Sequence, residues 1–393
     1  MRTRTWLFAM VMASCLLAAL STGGRMYWLF LLMMVCMAAL ALISALLAWA
    51  TLTITYVLSS PQVTRGDSIS LQVNLIHSAP LPVAPVSLRF IAPDARLPLD
   101  VYLAAKPFRR TQCRQSFPCP HVGVYPAGIT CCGISDVFGL FLFKRKPGLE
   151  PVHATVVPAA FPVRPLLFAP GESGNDAIAR ATDDATSPAD IRAYQYGDEL
   201  KRVHWKLTMR KRELVVRRFE EPEHPDALIL MNCAPPTEDD ELAYYLRDAL
   251  CETAASLAMD QVKAGHLVRM PLLGARAREV SCEDISELPA LLDALAHAPF
   301  DGTDRFERVL ELETRRMRRT GGTAVITSRL DSPIADMLMR IRRMGPRTRL
   351  YYVYDGELPD ETDALLLNLE RHDIEVETLA LVPDTEEQAL DVQ

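Results

Sequence analysis

The chain has 393 residues, 49% of them hydrophobic and 23% charged, which suits two folded units plus an anchor, since domains run to roughly 100–200 residues. A net charge of −7 leaves no electrostatic footprint for nucleic acid, which demands a concentrated basic face, so no nucleic-acid partner is expected. Apolar residues crowd into the first sixty positions, and the remainder reads as an ordinary soluble chain.

Trp6 to Leu20 carries no charge, and neither does Met26 to Ser60. A helix of about 20 apolar residues crosses a ~30 Å hydrocarbon core. The second stretch is ample, and the first reaches the limit with help from Thr5 and Ser21-Thr22. Ser21-Thr22-Gly23-Gly24-Arg25 is small and polar enough for a hairpin tip, and Trp6, Tyr27, Trp28, Trp49 and Tyr56 lie near the ends, where rings favour the headgroup level. The expectation is a transmembrane helical hairpin over residues 1–58, with the lipid bilayer as partner; a buried soluble hairpin is the alternative. Arg2 and Arg4 precede the first span and only Arg25 sits in the loop, which puts the N-terminus and the soluble portion in the cytoplasm. A signal peptide cleaved near Ala19-Leu20-Ser21 is the rival, and it leaves the soluble portion on the same side. Neither span holds a charged residue to line a path, so no pore is expected. Nine cysteines in no regular framework fit thiols in a reducing compartment.

Residues 59–168 change texture. Ser68 to Leu75 alternates polar and apolar, the pattern of a half-buried strand, and Val86 to Ile91 and Phe108 to Phe117 are further strand candidates. Prolines 80, 82, 85, 93, 98, 107, 118 and 120 exclude helices. Short strands between turns predict an antiparallel β-sandwich of immunoglobulin-like type. Cys113, Cys119, His121, Cys131 and Cys132 match no zinc spacing, and neighbours on a strand face opposite ways, which favours buried structural thiols over a metal. Gly123-Val124-Tyr125, Gly128 and Asp136-Val137-Phe138-Gly139-Leu140-Phe141 read as a strand, a glycine turn and an aromatic strand filling the sandwich core.

Residues 169–222 form a linker and then a segment dense in chemistry. Gly171 to Ala189 is poor in apolar residues, a loop composition. Beyond it, Arg192, Tyr194, Gly197, Asp198, Arg202, His204, Trp205, Lys206 and Arg210 interleave cations, aromatics and one carboxylate. Gly197-Asp198 signals a turn, and Asp198 is placed to cap a short helix from Glu199 to about Trp205. Such a set forms either an internally paired network that docks a loop or an anion or nucleotide pocket. The structural network is favoured, since no Ser–His–Asp order, phosphate-binding glycine loop or metal spacing supports an enzyme.

Residues 223–393 alternate strands and helices: strands at 226–232, 266–270, 322–327, 348–354 and 374–381, helices at 238–263, 283–297, 304–319, 332–343 and 360–371. This predicts an α/β domain with a mainly parallel sheet covered on both faces, and hence an α+β multidomain chain. Arg315, Arg316, Arg318, Arg319, Arg340, Arg342, Arg343, Arg347 and Arg349 read mostly as solvated faces and helix C-termini, with a contact to anionic lipid as the alternative.

The run Arg192-x-Tyr194-x-x-Gly197-Asp198-x-x-x-Arg202-x-His204-Trp205-Lys206, then Arg210 and Leu214-Val215-Val216-Arg217, closely resembles the signature of the bacterial family called domain of unknown function fifty-eight. Gly123-x-Tyr125, Asp136-x-Phe138-Gly139-Leu140-Phe141 and the paired N-terminal spans extend the resemblance; Thr208-Met209-Arg210 stands where relatives usually have Ser-Ala-Arg. The resemblance implies a protein of the bacterial inner membrane that works with a MoxR-type AAA+ ATPase in assembling or activating a client protein, with no established reaction or cofactor. It also implies a von Willebrand factor A-like C-terminal domain, whose metal site resembles Asp-x-Ser-x-Ser after the first strand. Here Asn232, Ala234 and Pro236 take those three positions, which removes the charge and both hydroxyls, so no metal is expected. Two readings follow: a non-enzymatic adaptor, or an enzyme or small-ligand sensor built on Asp198, Arg202 and His204.

Overall fold

The computed structural model describes residues 2–91, 99–148, 150–164, 166, 190–195, 203–218, 226–237, 239–272, 278–300, 305–317, 320–356 and 358–381. The chain divides into two compact units, Met1–Val157 and Pro158–Gln393.

In the first unit, helices α1 (Arg2–Thr22) and α2 (Arg25–Thr51) pack against each other across a turn at Gly23 and Gly24. Both are long and apolar enough to cross a membrane, with mean hydropathies of 1.8 over Thr5–Thr22 and 2.7 over Arg25–Thr51. The apolar run continues past Thr51, but the helix does not. Leu52-Thr53-Ile54-Thr55-Tyr56-Val57-Leu58 alternates β-branched and larger side chains, and it becomes strand β1 (Leu52–Leu58) instead of the end of the second span. Leu52 is already extended (φ −72°, ψ 119°) while its N–H still donates to the Ala48 carbonyl. Tyr56 is therefore not a headgroup ring; its hydroxyl donates to the Glu150 carbonyl at 2.6 Å. Gly128 makes room for it, since a Cβ there would lie 2.7 Å from the Tyr56 hydroxyl.

No loop separates α2 from β1, so the last carbonyls of α2 need partners from elsewhere. Arg145 meets one of them, and also the carbonyl of the residue just beyond the helix. Its Nη1 donates to the Trp49 carbonyl at 2.8 Å and its Nη2 to the Leu52 carbonyl at 3.1 Å. A cation at a helix C-terminus also complements the macrodipole.

Strand β1 pairs antiparallel with β3 (Ser68–His77), which pairs with β6 (Arg109–Pro118). The period-2 pattern holds over most of β3: Ile69, Leu71, Val73 and Leu75 are buried, Gln72 is exposed and Asn74 half-buried, while Ser70 is buried too. The second sheet runs β2 (Gln62–Thr64), β9 (Val152–Val157), β7 (Gly123–Ser135), β4 (Val86–Ile91) and β5 (Leu99–Leu103), with β8 (Leu142–Arg145) also on β7. Both sheets feed one apolar core, from Leu52, Leu71 and Phe117 on one side to Val86, Phe90, Ile129 and Val156 on the other. Ala48 of α2 belongs to the same core. Cys119 and Cys132 are buried in it, and burial pushes the Cys132 thiol up to about 11; Cys113 and Cys131 are half-buried.

The aromatic turn departs from expectation. The Asp136–Phe141 segment does not fill the core: Val137 and Phe138 are 53% and 47% exposed, and Phe141 and Phe143 are only half-buried. The wholly buried Asp136 explains why. Its Oδ2 accepts the Phe138 N–H at 2.9 Å and its Oδ1 the Phe141 N–H at 2.7 Å, which folds the backbone inward and the side chains out.

In the second unit a sheet runs β14 (Arg278–Cys282), β13 (Val268–Leu272), β12 (Asp226–Met231), β15 (Thr320–Thr327), β16 (Arg347–Asp355) and β17 (Glu375–Leu381). All neighbours are parallel except β14, an antiparallel edge strand whose adjacent charges, Arg278 and Glu279, concealed it in the sequence. A small hairpin pairs β10 (Asp190–Ala193) with β11 (Val215–Arg218) and carries helix α3 (Trp205–Lys211). Helices α6 (Phe306–Thr314), α7 (Ser332–Arg343) and α8 (Asp360–Arg371) share a core with Leu228, Leu230, Val325, Leu350 and Tyr352 on one face of the large sheet. Strand residues alternate, so Ala227, Ile229 and Met231 are buried on the other face, where α4 (Asp240–Lys263) packs; α5 (Leu288–Ala296) packs on α4.

Residues 158–166, expected in the sandwich domain, belong to this unit. The described residues among them form no strand, and several of their backbone polar groups are met by α4 and β16. The Ala159 N–H donates to Glu252 Oε1 at 3.4 Å and the Phe161 N–H to Ser256 Oγ at 2.9 Å. The Arg164 carbonyl accepts from Arg349 Nη1 at 3.1 Å and from the Tyr351 hydroxyl at 2.9 Å. Arg349 also pairs with Glu375, and burial pushes the Tyr351 hydroxyl up to about 12.

Beside this pair Glu377 is buried with both carboxyl oxygens unbonded. Burial pushes its carboxyl up, with Glu375 adding to the rise while Arg349 and Arg164 oppose it. The folded state thus holds this proton to higher pH than the unfolded chain does. Stability contributed by the protonated form is present below the unfolded carboxylate range and lost as pH rises through the folded value. Glu377→Gln is expected to stabilise the protein near pH ~7 and to lose that advantage by about pH 4, as read by denaturation across the range. Arg145→Ala takes this donor from the Trp49 and Leu52 carbonyls and is expected to cost about 1–3 kcal/mol in thermal or denaturant unfolding of the detergent-solubilised chain.

Candidate functional site

The signature segment builds a compact hairpin and helix. Arg192 sits opposite Val216 in the β10–β11 ladder, and the Tyr194 N–H continues the pairing by donating to the Leu214 carbonyl at 2.9 Å. Val203 bridges Val216 from the other side, and the His204 N–H donates to the Val215 carbonyl at 2.8 Å. Helix α3 starts at Trp205, where the expected helix was to end, because Val203 and His204 are still held in this pairing. Gly197, Asp198 and Arg202 lie outside the described residues, as does the side chain of Arg192, so the Asp198 cap does too.

His204 itself is the N-cap. Its Nδ1 accepts the Leu207 N–H at 3.3 Å, which requires that nitrogen to be free of a proton. The Thr208 hydroxyl accepts the Val215 N–H at 3.2 Å and ties the helix back to β11. Arg212 ends α3 in the left-handed region (φ 57°), its N–H donating to the Thr208 carbonyl at 2.8 Å.

The hairpin brings His204, Trp205, Lys206 and Arg210 onto one short helix but does not bury them. Trp205 is 59% exposed and Met209, one turn on, is 81% exposed; Lys206 and Arg210 are exposed beside them. Trp205 therefore does not dock into a core.

The second candidate lies at the C-terminal ends of β12 and β15, where the strand order reverses and where open α/β sheets bind ligands. Asn232 Nδ2 donates to Thr327 Oγ1 at 3.0 Å, and Asn232 Oδ1 accepts the Ala234 N–H at 3.0 Å. Thr327 Oγ1 donates to the Arg329 carbonyl at 2.7 Å and accepts the Arg329 N–H at 3.1 Å, so the hydroxyl is fully used. Arg329 Nε reaches across to the Pro236 carbonyl at 3.0 Å. Asn232 thus serves as a tie between two strand ends, Ala234 contributes a backbone N–H, and Pro236 a carbonyl. Four arginines of the basic run are paired: Arg315 with Glu311, Arg316 with Glu279 and Glu313, Arg342 with Asp373 and Arg349 with Glu375, while Arg340 and Arg343 are exposed. Arg318 and Arg319 lie outside the described residues.

Residues 190–383, from β10 to just beyond β17, match the model of the family described as Protein of unknown function DUF58. This half of the chain resembles DUF58. No curated protein matches. Among solved structures, Spo0M, a sporulation control protein from Bacillus subtilis, is 10% identical over 37% of this chain and 58% of its own, with a TM-score of 0.18. Cwp6 from Clostridium difficile is 10% identical over 83% of this chain and 53% of its own, also at 0.18. The chain thus spans under two thirds of either structure, and likenesses at that TM-score carry no argument about fold or role.

The geometry accounts for the departure from the DUF58 signature. A serine at 208 offers the same hydroxyl to the Val215 N–H that Thr208 does, and residue 209 points into solvent, so Met in place of Ala disturbs no packing. His204→Ala removes the cap and is expected to cost about 1 kcal/mol, whereas His204→Asn keeps an acceptor and most of the stability. Hydrogen exchange at the Leu207 amide reads this directly: faster in the alanine variant, near wild type in the asparagine one.

Proposed function

We propose that the protein is a membrane-anchored, non-enzymatic adaptor that works with a MoxR-type AAA+ ATPase in assembling or activating a client protein. The apolar hairpin holds it in the inner membrane of a bacterium, with both soluble portions in the cytoplasm. The sandwich is immunoglobulin-like and the α/β unit von Willebrand factor A-like. For the latter the doubly wound order β14-β13-β12-β15-β16-β17 is the supporting feature, with strand reversal beside β12.

The observation that carries this reading is the contrast between the two candidate sites. The crevice at the strand ends spends Asn232, Thr327 and Arg329 on one another, whereas the signature helix turns Trp205, Lys206, Met209 and Arg210 to solvent. Exposed aromatic and cationic groups side by side are the composition that protein interfaces favour. An enzyme or sensor built on Asp198, Arg202 and His204 draws less support, because His204 Nδ1 is spent on the helix cap.

The test is binding of the full chain, in lipid nanodiscs, to a MoxR-type ATPase from the same organism, held with a non-hydrolysable ATP analogue. Saturable binding is expected, weakened about tenfold or more by the Trp205→Ala, Arg210→Ala double variant. An ATPase that fails to bind in every nucleotide state sinks the proposal.

A further inference from the structure

We infer that the Val137–Phe138 turn is a third membrane contact: it sets two apolar side chains into the headgroup zone beside the ends of α1 and α2 and seats the sandwich on the bilayer. The inference rests on the reading that α1 and α2 span the membrane.

Its first support is position within the first unit. The Thr5 hydroxyl, one residue before Trp6, donates to the Leu140 carbonyl of the turn at 3.3 Å. Arg145, at the end of the strand that follows the turn, holds the Trp49 carbonyl of α2. The start of α1 and the end of α2 lie at the same end of a helical hairpin; the turn meets the first through Leu140, and β8 meets the second through Arg145. Trp6 and Trp49 are exposed there, and tryptophan settles at the membrane–water interface. The turn is therefore held at the depth of that aromatic belt.

The second support is how the turn is made. Asp136 is wholly buried, and its carboxylate accepts two backbone N–H groups of the turn. Gly139 adopts φ 71°, and its N–H donates to the Asp136 carbonyl at 3.1 Å. This is a rigid device, and what it presents is Val137 and Phe138, with Leu142 also exposed just beyond. A phenylalanine held outward in this way leaves 47% of its surface in solvent. Burial in the acyl boundary would reward it. Lys144 and Lys146, exposed along the strand and just past it, supply cations for headgroup phosphates. Continuity with the two spans favours lipid over a second copy or another protein as the occupant.

The test uses the full chain in liposomes of phosphatidylethanolamine and phosphatidylglycerol, with Phe138→Trp as reporter. The signal is the emission this variant adds to that of the natural tryptophans. Lipid brominated near the headgroup is expected to quench about half of it or more, lipid brominated deep in the chain less, and aqueous acrylamide little. Val137→Trp is read in the same way, so a poorly folded Phe138 variant does not decide the matter. Quenching by acrylamide and not by bromolipid overturns the inference. Shielding from both quenchers overturns it too, and points to a protein on the turn. Carbonate extraction separates the underlying reading: a chain that stays in the membrane with an unquenched turn refutes only the third contact. A chain that carbonate strips away refutes the spans and the contact together.

Discussion

Thr51 and Leu52 impose a severe constraint on the first unit. An apolar helix passes into a β-strand with no residues between to absorb the change, so the final carbonyls of the helix have neither helical partners nor a loop to satisfy them. Arg145, from a strand far along the chain, meets the Trp49 carbonyl of the helix and the Leu52 carbonyl at the start of the strand, and Ala48 of the helix lies in the same apolar core as Leu52 and Ile54. Helix and sandwich are thus one packed body. A helix joined in this way transmits its orientation to the sandwich, which a polar linker would not do.

The second unit solves a different problem of unmet backbone. The described residues of 158–166 form no strand, and a polar stripe on α4 together with Arg349 and Tyr351 answers several of their N–H and carbonyl groups. The cost falls on Glu377, which sits beside this arrangement with no hydrogen bond of its own. At the other pole of the sheet the strand ends are tied by Asn232, Thr327 and Arg329. Polar capacity that a ligand would need is consumed internally there, whereas α3 turns Trp205 and Met209 to solvent.

Much of this was legible in the chain. Strand β4 and helices α7 and α8 fall on the residues that alternation and helical spacing select, because one-sided burial writes a period directly into the sequence. Boundaries failed where two signals overlapped. Leu52 to Leu58 is apolar enough to extend a span, yet its β-branched alternation belongs to a sheet, and only pairing with β3 decides between them. Strand β14 hid among charges because an edge strand buries little. His204 and Trp205 read as parts of a structural network that docks a loop, and the ring of His204 does cap a helix, whereas Trp205 is open to solvent.

The sequence by itself determined what depends on a residue's neighbours along the chain: two helices apolar enough to cross a membrane, the strands and helices of the α/β half, and the loss of charge at Asn232 and of hydroxyls at Ala234 and Pro236. Tertiary structure decided everything that rests on partners distant in sequence. Arg145 finding Trp49, Asn232 finding Thr327 and Arg349 finding the Arg164 carbonyl are contacts no local pattern encodes. Nor does a local pattern reveal that Asp136 is buried and Phe138 is not, since the turn between them inverts the usual places of a charge and a ring.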